Sequence, residues 1–267
     1  MCGPSLQEQI DAADAYEALL VPALTGEWAT RVADAAAIRP GNSVLDVACG
    51  TGALTREVAS RAGVGGTVAG VDAGAGMLEV ARRLAPNVDF RQATAETLPF
   101  PDGSFDAVVS QFGLMFFSDR QRALREALRV LVPQGRLAVA VWDGLESMPA
   151  YGEEVALVER IAGSQAAYPL RAPFALGDRQ ALMRVFEESG VARVHATTSR
   201  GTARFATLRI MIEADLRGWL PVMGVVLPEA QIAQILREAE EALARYVGPD
   251  GTVAFGTSVH IVTGTRQ

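Results

Sequence analysis

Between residues 43 and 142, short apolar runs alternate with segments of helical periodicity. The apolar runs are SVLDVA, GGTVAGVD, VDFRQAT, SFDAVVSQFG and GRLAVAVW, and GALTREVASRA, AGMLEVARRLA and SDRQRALREALRVL lie among them. Runs such as AVAVW are apolar on both faces, which is typical of parallel strands covered by helices on both sides. Strands joined through helices of this length form right-handed crossovers. The alternation therefore predicts an α/β fold with a doubly wound, mostly parallel sheet.

The remaining segments add two strands and several helices. Residues 1–40 read as two amphipathic helical runs interrupted at Pro22, and the connection after Trp142 contains one helix. The segment DRQALMRVFEESG predicts a further helix, VARVHATTS a sixth strand, and Val253–Thr263 a seventh. Two amphipathic helices are expected over 207–220 and 228–247. We expect one domain over 1–267, with helical insertions at 143–175 and 205–250; the second is apolar enough to cap a hydrophobic substrate.

Composition excludes several classes of function. The net charge is −7 and no basic run exists, which argues against a nucleic-acid partner. All 24 basic residues are arginine, so a lysine base or Schiff base is excluded. Cys2 and Cys49 provide neither a disulfide framework nor a metal set. No leader-like start or membrane-length apolar run occurs, so a cytoplasmic protein without a membrane partner is expected. Whether it is a monomer or a homodimer stays open.

The loop after the first strand, DVACGTGAL, indicates what the sheet binds. Its glycines are Gly50 and Gly52, but Thr55 stands where a dinucleotide fold has a third glycine. A P-loop requires a lysine after its last glycine, and this chain contains no lysine. Asp46 lies within the strand itself, where its charge would repel a pyrophosphate but suit an ammonium and a sulfonium. Asp72 ends the second strand, where a carboxylate can receive both hydroxyls of a ribose.

Five ordered segments resemble the class I S-adenosylmethionine-dependent methyltransferases, in particular the broad family acting on small molecules and quinones. They are VLDVACGTGALT, VAGVDAGAGMLEVAR, FRQATAETLPFPDGSFDAVVSQFGLMFF, ALREALRVLVPQGRLAVAVW and PFALGDRQALMRVFEESGV, covering about residues 40 to 200. The resemblance implies a seven-stranded Rossmann-like methyltransferase fold with helical caps. It also implies that helices within residues 1–40 form a lid over the cofactor, S-adenosyl-L-methionine.

The resemblance further assigns cofactor contacts residue by residue. Asp46 and the loop backbone would hold the methionine end, Asp72 the ribose, and the strand end at Gln111 and Phe112 the floor near the sulfonium. Thr94 stands where the family usually has an aspartate, so its bond to the adenine amino group would lose charge assistance. The full predicted cofactor set is Asp46, Ala48, Gly50, Gly52, Asp72, Ala73, Met77, Thr94, Ala95, Glu96, Gln111 and Phe112.

No residue stands out as catalytic. We expect Cys49 to be a small loop residue, and His195 and His260 to be structural. Tyr16 and Met115 are candidates to face the substrate. The predicted function is in-line transfer of a methyl group to a small, apolar or aromatic molecule, with the acceptor atom undetermined. The alternative is an inactive, cofactor-binding regulatory or scaffold protein. A nicotinamide-dependent reductase is disfavoured by the missing third glycine.

Overall fold

The computed structural model describes residues 4–267, so Cys2 lies outside the described residues. One seven-stranded sheet has the order β3-β2-β1-β4-β5-β7-β6. Strands β1 to β5 are parallel, whereas β7 runs antiparallel to both β5 and β6. The predicted doubly wound, mostly parallel sheet is confirmed. The strands are β1 (Ser43–Val47), β2 (Thr67–Asp72), β3 (Asp89–Gln92), β4 (Phe105–Gln111), β5 (Leu131–Trp142), β6 (Ala192–Phe205) and β7 (Val253–Thr265).

Helices surround the sheet and extend beyond its carboxyl edge. Asp119 caps α5 by accepting a hydrogen bond from the Arg122 amide, and Asp178 caps α8 in the same way. The α-helices are α1 (Leu6–Ala15), α2 (Gly26–Ala35), α3 (Ala53–Ala62), α4 (Ala75–Leu84), α5 (Arg120–Val130), α6 (Pro149–Ala162), α7 (Ser164–Arg171), α8 (Arg179–Glu188), α9 (Leu208–Glu213), α10 (Leu220–Val222) and α11 (Glu229–Ala242).

Two local predictions are wrong. Pro22 does not interrupt the N-terminal helices, because a π-helical stretch, Tyr16–Thr25, contains it and joins α1 to α2. A wider helical turn accommodates a residue that lacks an N–H and clashes with the preceding turn. The connection after Trp142 contains two helices, α6 and α7, where one was expected. Gly163, at φ +89°, separates them.

The order of the strands determines where a ligand can bind. β1 pairs with β2 on one side and with β4 on the other. The chain therefore leaves β1 in one direction and returns in the other, which opens a crevice at the carboxyl ends of these strands. Asp46, Asp72 and Gln111 lie at or near those ends.

The helical insertions cover that crevice together with the N-terminal helices. α6 packs on α7 and α11, and a second π-helical stretch, Ala214–Trp219, packs on α1 and on the stretch Tyr16–Thr25. α1 also lies directly on α4, where a Cβ at Gly76 would come within 2.4 Å of the Gln9 backbone. The absence of a side chain at Gly76 therefore permits the close approach of the two helices.

None of the helices described over residues 4–267 combines the length and apolarity that a membrane crossing requires.

Candidate functional site

The loop between β1 and α3 turns through three left-handed positions: Ala48 at φ +57°, Gly50 at +55° and Gly52 at +85°. The backbone N–H of Gly50 donates to Oδ2 of Asp72 at 2.8 Å. Gly52 instead packs away from the crevice, since a Cβ there would meet Ala81 and Phe90 at 3.5 Å. Ala48 and Gly50 thus expose backbone to the crevice, while Gly52 gives α3 its tight start.

Asp46 is a buried acid with one donor. Its side chain is 1% exposed, and Thr55 donates a hydrogen bond to Oδ2 at 2.6 Å. Burial raises the pKa of Asp46 to about 7; the Thr55 hydroxyl opposes this and the charge of Asp72 adds to it. Oδ1 has no hydrogen-bond partner. An unpartnered carboxylate oxygen at the base of the loop suits an ammonium or another strong donor. Thr55, at the place of a third glycine, therefore has a positive role in holding this carboxylate.

Asp72 organises the loop that follows β2. Its Oδ1 accepts from the Gly74 N–H at 2.8 Å, while its Oδ2 binds Gly50, so one carboxylate joins the ends of β1 and β2. Each carboxylate oxygen can accept a further hydrogen bond from a ligand hydroxyl.

A cleft of about 410 Å³ runs from this carboxylate to the end of β4. Ten of the twelve predicted cofactor contacts line it. Asp46 instead borders a smaller cavity of about 40 Å³ that shares Tyr16, Ala48, Gly50 and Gln111 with the cleft. Gly52 borders neither. The predicted residues along the cleft are Ala48, Gly50, Asp72, Ala73, Met77, Thr94, Ala95, Glu96, Gln111 and Phe112.

Glu96 has a structural task besides lining the cleft. Its Oε1 accepts from the backbone N–H and hydroxyl of Ser118, both at 2.9 Å, and from the Asp119 N–H at 3.2 Å. Burial tends to raise the pKa of Glu96, but these and neighbouring hydrogen bonds hold it below its ordinary value. The carboxylate thereby fixes the loop before α5 against the cleft wall.

The N-terminal helices are held closed over the glycine loop. Glu17 accepts from the Thr51 hydroxyl at 2.5 Å and forms a 2.6 Å ion pair with Arg56 of α3. Gln111 donates its side-chain amide to the Thr25 carbonyl at 2.9 Å, while its own Oε1 is buried without a partner. Asp46 and Gln111 therefore both present unsatisfied acceptors close to the glycine loop.

Beyond the cleft lies an apolar cavity of about 70 Å³ that shares Tyr16, Phe112, Phe116 and Trp219 with it. The ring of Phe112 stacks on Trp142 with centroids 4.0 Å apart. Trp219 donates its indole N–H to the Pro169 carbonyl at 2.8 Å, which joins the two insertions. The cavity is lined by Tyr16, Leu20, Leu24, Thr25, Phe112, Phe116, Trp142, Met148, Tyr151, Leu170, Pro173, Phe174, Asp215 and Trp219.

One of the two predicted substrate-facing residues is placed differently. Tyr16 borders the cleft and both smaller cavities, whereas Met115 is 5% exposed in the hydrophobic core and lines none of them. The short turn Leu114–Phe116 directs Leu114 and Met115 inwards and Phe116 towards the cavities. The prediction for Met115 is therefore wrong, and its neighbour Phe116 is the residue that borders the cleft and the apolar cavity.

The histidines line neither the cleft nor the two smaller cavities, whereas Cys49 borders the small cavity beside Asp46. His195 is exposed on the edge strand β6. His260 is buried, with its ring nitrogens 2.9 Å from the Thr198 hydroxyl and from the Gly177 carbonyl, and it also lies 3.1 Å from Asp143. Burial raises the pKa of the Cys49 thiol well above its ordinary value, which disfavours a thiolate nucleophile.

Several residues of the site were not expected from the sequence. Glu17, Thr51, Phe116, Trp219 and Asp215 all take part. Glu17 and the π-helical residues carry no local motif, because their roles depend on distant segments. The apolar character of the 205–250 insertion did indicate a cap, but not which side chains face inwards.

The family with the description "Methyltransferase domain" matches residues 45–139, a segment that contains the glycine loop, Asp72 and Gln111. The ubiquinone/menaquinone biosynthesis C-methyltransferase of Hahella chejuensis is 46% identical over 118 residues, which are 42% of this chain and 47% of that protein. The demethylmenaquinone methyltransferase of Renibacterium salmoninarum is 42% identical over 128 residues, 48% of this chain and 51% of that protein. The chain thus spans about half the length of the curated relatives it matches.

Solved structures share the fold over a larger part of the chain. The YcgJ protein of Bacillus subtilis has a TM-score of 0.60 at 21% identity, covering 90% of this chain and 98% of its own. The [4+2]-cyclase SpnF has a TM-score of 0.55 at 21% identity, covering 90% of this chain and 81% of its own. These likenesses support the architecture alone. The recognition of a methyltransferase domain, made from residue patterns, is confirmed for the matched segment.

Proposed function

Because residues 45–139 are a methyltransferase domain, we propose that the chain is a class I S-adenosylmethionine-dependent enzyme that methylates a small, apolar or aromatic acceptor. The observation that carries the proposal is the junction of two unlike sites. A cleft bordered by the glycine loop and Asp72 meets an aromatic cavity built largely from the insertions.

The residues of the cleft fit the cofactor. Its methionine end carries an ammonium group, and Asp46 and Gln111 offer buried oxygens that have no partner within the chain. Ala48 and Gly50 line the same small cavity, so backbone can approach the ligand there. Asp72 lies where the ribose would be held, and the segment Ala93–Glu96 borders the remaining wall, opposite Met77.

S-adenosylmethionine supplies a methyl group on a positively charged sulfur, which is already a good leaving group. The chain therefore has to align the acceptor with the methyl carbon, and alignment can contribute up to about 7–11 kcal/mol in favourable cases. Phe112 and Phe116, shared between the cleft and the aromatic cavity, are placed to restrict the acceptor there. Glu17 and Gln111 hold the N-terminal helices over the loop, which limits access of water.

The insertions and the N-terminal helices would determine which acceptor binds, because they supply most of the lining of the aromatic cavity. Most of the residues that line the aromatic cavity lie outside the segment matched by the family. The names of the relatives refer to ubiquinone/menaquinone biosynthesis and to demethylmenaquinone, which are quinones. Seven aromatic side chains and several aliphatic ones around the cavity are compatible with a quinone-type ring.

Two measurements test the proposal. Calorimetric titration with S-adenosylhomocysteine should show binding, and no heat of binding at millimolar ligand would overturn it. Incubation with S-adenosylmethionine and a panel of phenols, hydroquinones and aromatic amines should release S-adenosylhomocysteine, detected by mass spectrometry. Tight cofactor binding with no release across the panel would favour the alternative of an inactive scaffold. A cytoplasmic location and the choice between monomer and homodimer stay predictions.

A further inference from the structure

The insertions bury two carboxyl groups at the aromatic cavity. Asp215, in the π-helical stretch Ala214–Trp219, is 3% exposed and lines the cavity. Glu154 of α6 is fully buried beside it, and Tyr151, on the same helix, also lines the cavity. Fully buried acids are rare because the loss of hydration is large, so a buried pair calls for an explanation.

Hydrogen bonds within the chain do not explain why these two acids are buried. Oδ2 of Asp215, both carboxyl oxygens of Glu154 and the Tyr151 hydroxyl have no partner that meets hydrogen-bond geometry. No arginine or histidine lines the cavity. Arg217, two residues beyond Asp215, forms ion pairs with Glu213 and Glu229 at the surface instead. The cavity therefore presents acceptor oxygens without a donor that satisfies them.

The two acids influence each other. Burial raises the pKa of Glu154, and the charge of Asp215 raises it further; burial also raises the pKa of Asp215, and the neighbouring polar groups of Tyr151 and Glu154 oppose this rise. Two neighbouring carboxyl groups without a cation hold one proton between them more readily than none. Of the two acids, Asp215 is the one that lines the cavity and can receive a proton from a ligand there.

The helices that border the aromatic cavity also have an unusual backbone. Both π-helical stretches of the described chain, Tyr16–Thr25 and Ala214–Trp219, border the aromatic cavity and pack against each other. Widened turns of this kind occur frequently at functional sites, because they redirect a side chain that a regular helix would place elsewhere.

We propose that Asp215 accepts the hydrogen of a hydroxyl group on the methyl acceptor, and that the substrates are therefore phenol-type molecules. This inference rests on the proposed methyltransferase function. A carboxylate substrate is disfavoured, since it would meet Asp215 with no cation in the cavity. An ammonium is also disfavoured, because it would add a second positive charge close to the sulfonium.

The proton transfer completes a balanced reaction. The O–H bond of the acceptor breaks, its proton passes to the carboxylate of Asp215, and the electron pair stays on the acceptor. The acceptor then forms the bond to the methyl carbon, while sulfur keeps the pair of the broken S–C bond. At oxygen this yields the methyl ether. At a ring carbon, the proton on that carbon is lost to solvent, which restores the aromatic ring as a phenolate, and Asp215 returns its proton to the phenolate oxygen. After methylation at oxygen, Asp215 instead releases its proton to solvent.

Binding of small probes tests the inference without turnover. The wild-type protein is titrated with p-cresol, toluene and benzoate, in the presence and absence of S-adenosylhomocysteine. We expect p-cresol to bind at least ten-fold more tightly than toluene, and benzoate to bind weakest. The preference for p-cresol should fall several-fold in Asp215→Asn, which retains a neutral acceptor, and disappear in Asp215→Leu. Glu229→Gln, which removes an exposed acid of the same insertion, is the matched control and should retain it.

The outcomes separate the two proposals. Failure of S-adenosylhomocysteine to bind the wild-type protein overturns the methyltransferase proposal, whatever the probes do. Equal affinity for p-cresol and toluene, or a preference that survives in Asp215→Leu, overturns the role of Asp215 and leaves a structural acid pair. Where a phenol is turned over, Asp215→Asn should lower kcat by about 100-fold or more, with the KM for S-adenosylmethionine within two-fold. An unchanged kcat and pH profile would contradict the inference.

Discussion

Replacing Asp46 with asparagine should change how the stability of the protein depends on pH. Asp46 is buried, receives one hydrogen bond from Thr55, and has no basic partner within reach. Burial raises its pKa from the ordinary 3.8 to about 7. Asparagine is nearly isosteric and does not ionise, so the substitution removes the titration while keeping the acceptor for Thr55.

The sign and size follow from proton binding. Between about pH 4 and pH 7 the folded protein retains a proton on Asp46 that the unfolded chain has released, so the free energy of unfolding falls as the pH rises. A shift of roughly three pKa units at about 1.4 kcal/mol each amounts to about 4 kcal/mol over this window. Asp46→Asn lacks this pH-dependent contribution to the free energy of unfolding. At low pH it should be less stable than wild type by about 1–3 kcal/mol, because an amide N–H₂ is buried without an acceptor.

The assay is urea unfolding of both proteins without cofactor, at half-unit steps from pH 4.5 to pH 8. Titration of all other groups cancels in the difference between the two curves. The range from pH 4.5 to pH 8 covers most of this titration, so we expect that difference to move by about 3 kcal/mol in favour of Asp46→Asn. Asp34→Asn, which removes an exposed acid paired with Arg61, is the control and should stay within about 1 kcal/mol of wild type throughout.

Parallel curves for wild type and Asp46→Asn would refute the argument that burial holds a proton on this acid. Cofactor binding provides an independent check on the same side chain. An ammonium beside Asp46 favours the ionised carboxylate, so the affinity for S-adenosylhomocysteine should rise between pH 6 and pH 8 in wild type. The variant should bind about 10–100-fold more weakly at pH 8, with little dependence on pH.

Two further predictions concern the second acid of the cleft and the helix that covers it. Asp72→Ala removes the carboxylate that joins Gly50 to the end of β2, and calorimetry should show S-adenosylhomocysteine affinity reduced by about 10–100-fold; unchanged affinity would make the ribose assignment wrong. Gly76→Ala places a Cβ within 2.4 Å of the Gln9 backbone, so α1 must shift and denaturant unfolding should show a loss of about 1–3 kcal/mol. Gly152→Ala, at a helical position with open space around it, is the matched control and should gain up to about 1 kcal/mol; equal effects at both positions would mean that contact with α1 is not the cause.

The strands, and the residues that line the cleft, were predictable because their signals are local. Each strand of the parallel sheet is marked by its own apolar run, and crossover handedness then limits how the strands can be arranged. The cleft residues follow directly from strand ends: Asp72 closes β2, Gln111 closes β4, and the loop after β1 carries its glycines in sequence. Where several contacts come from the ends of neighbouring parallel strands, order along the chain fixes position in space.

The acceptor side depended on contacts between distant segments. Asp215 and Glu154 lie 61 residues apart, and no pattern at either position indicates that both become buried at one cavity. Met115 and Phe116 are equally apolar neighbours, yet a single short turn buries one and exposes the other to the cavity. Pro22 was expected to break a helix. Instead it lies in the π-helical stretch Tyr16–Thr25, whose wider turns accommodate it and which packs against the second π-helical stretch. The sequence by itself determined the sheet and indicated the proposed class of cofactor, because strand periodicity and loop chemistry act over a few residues. Only the tertiary structure decided which side chains line the aromatic cavity, because burial and charge there arise from helices that pack together across the whole chain.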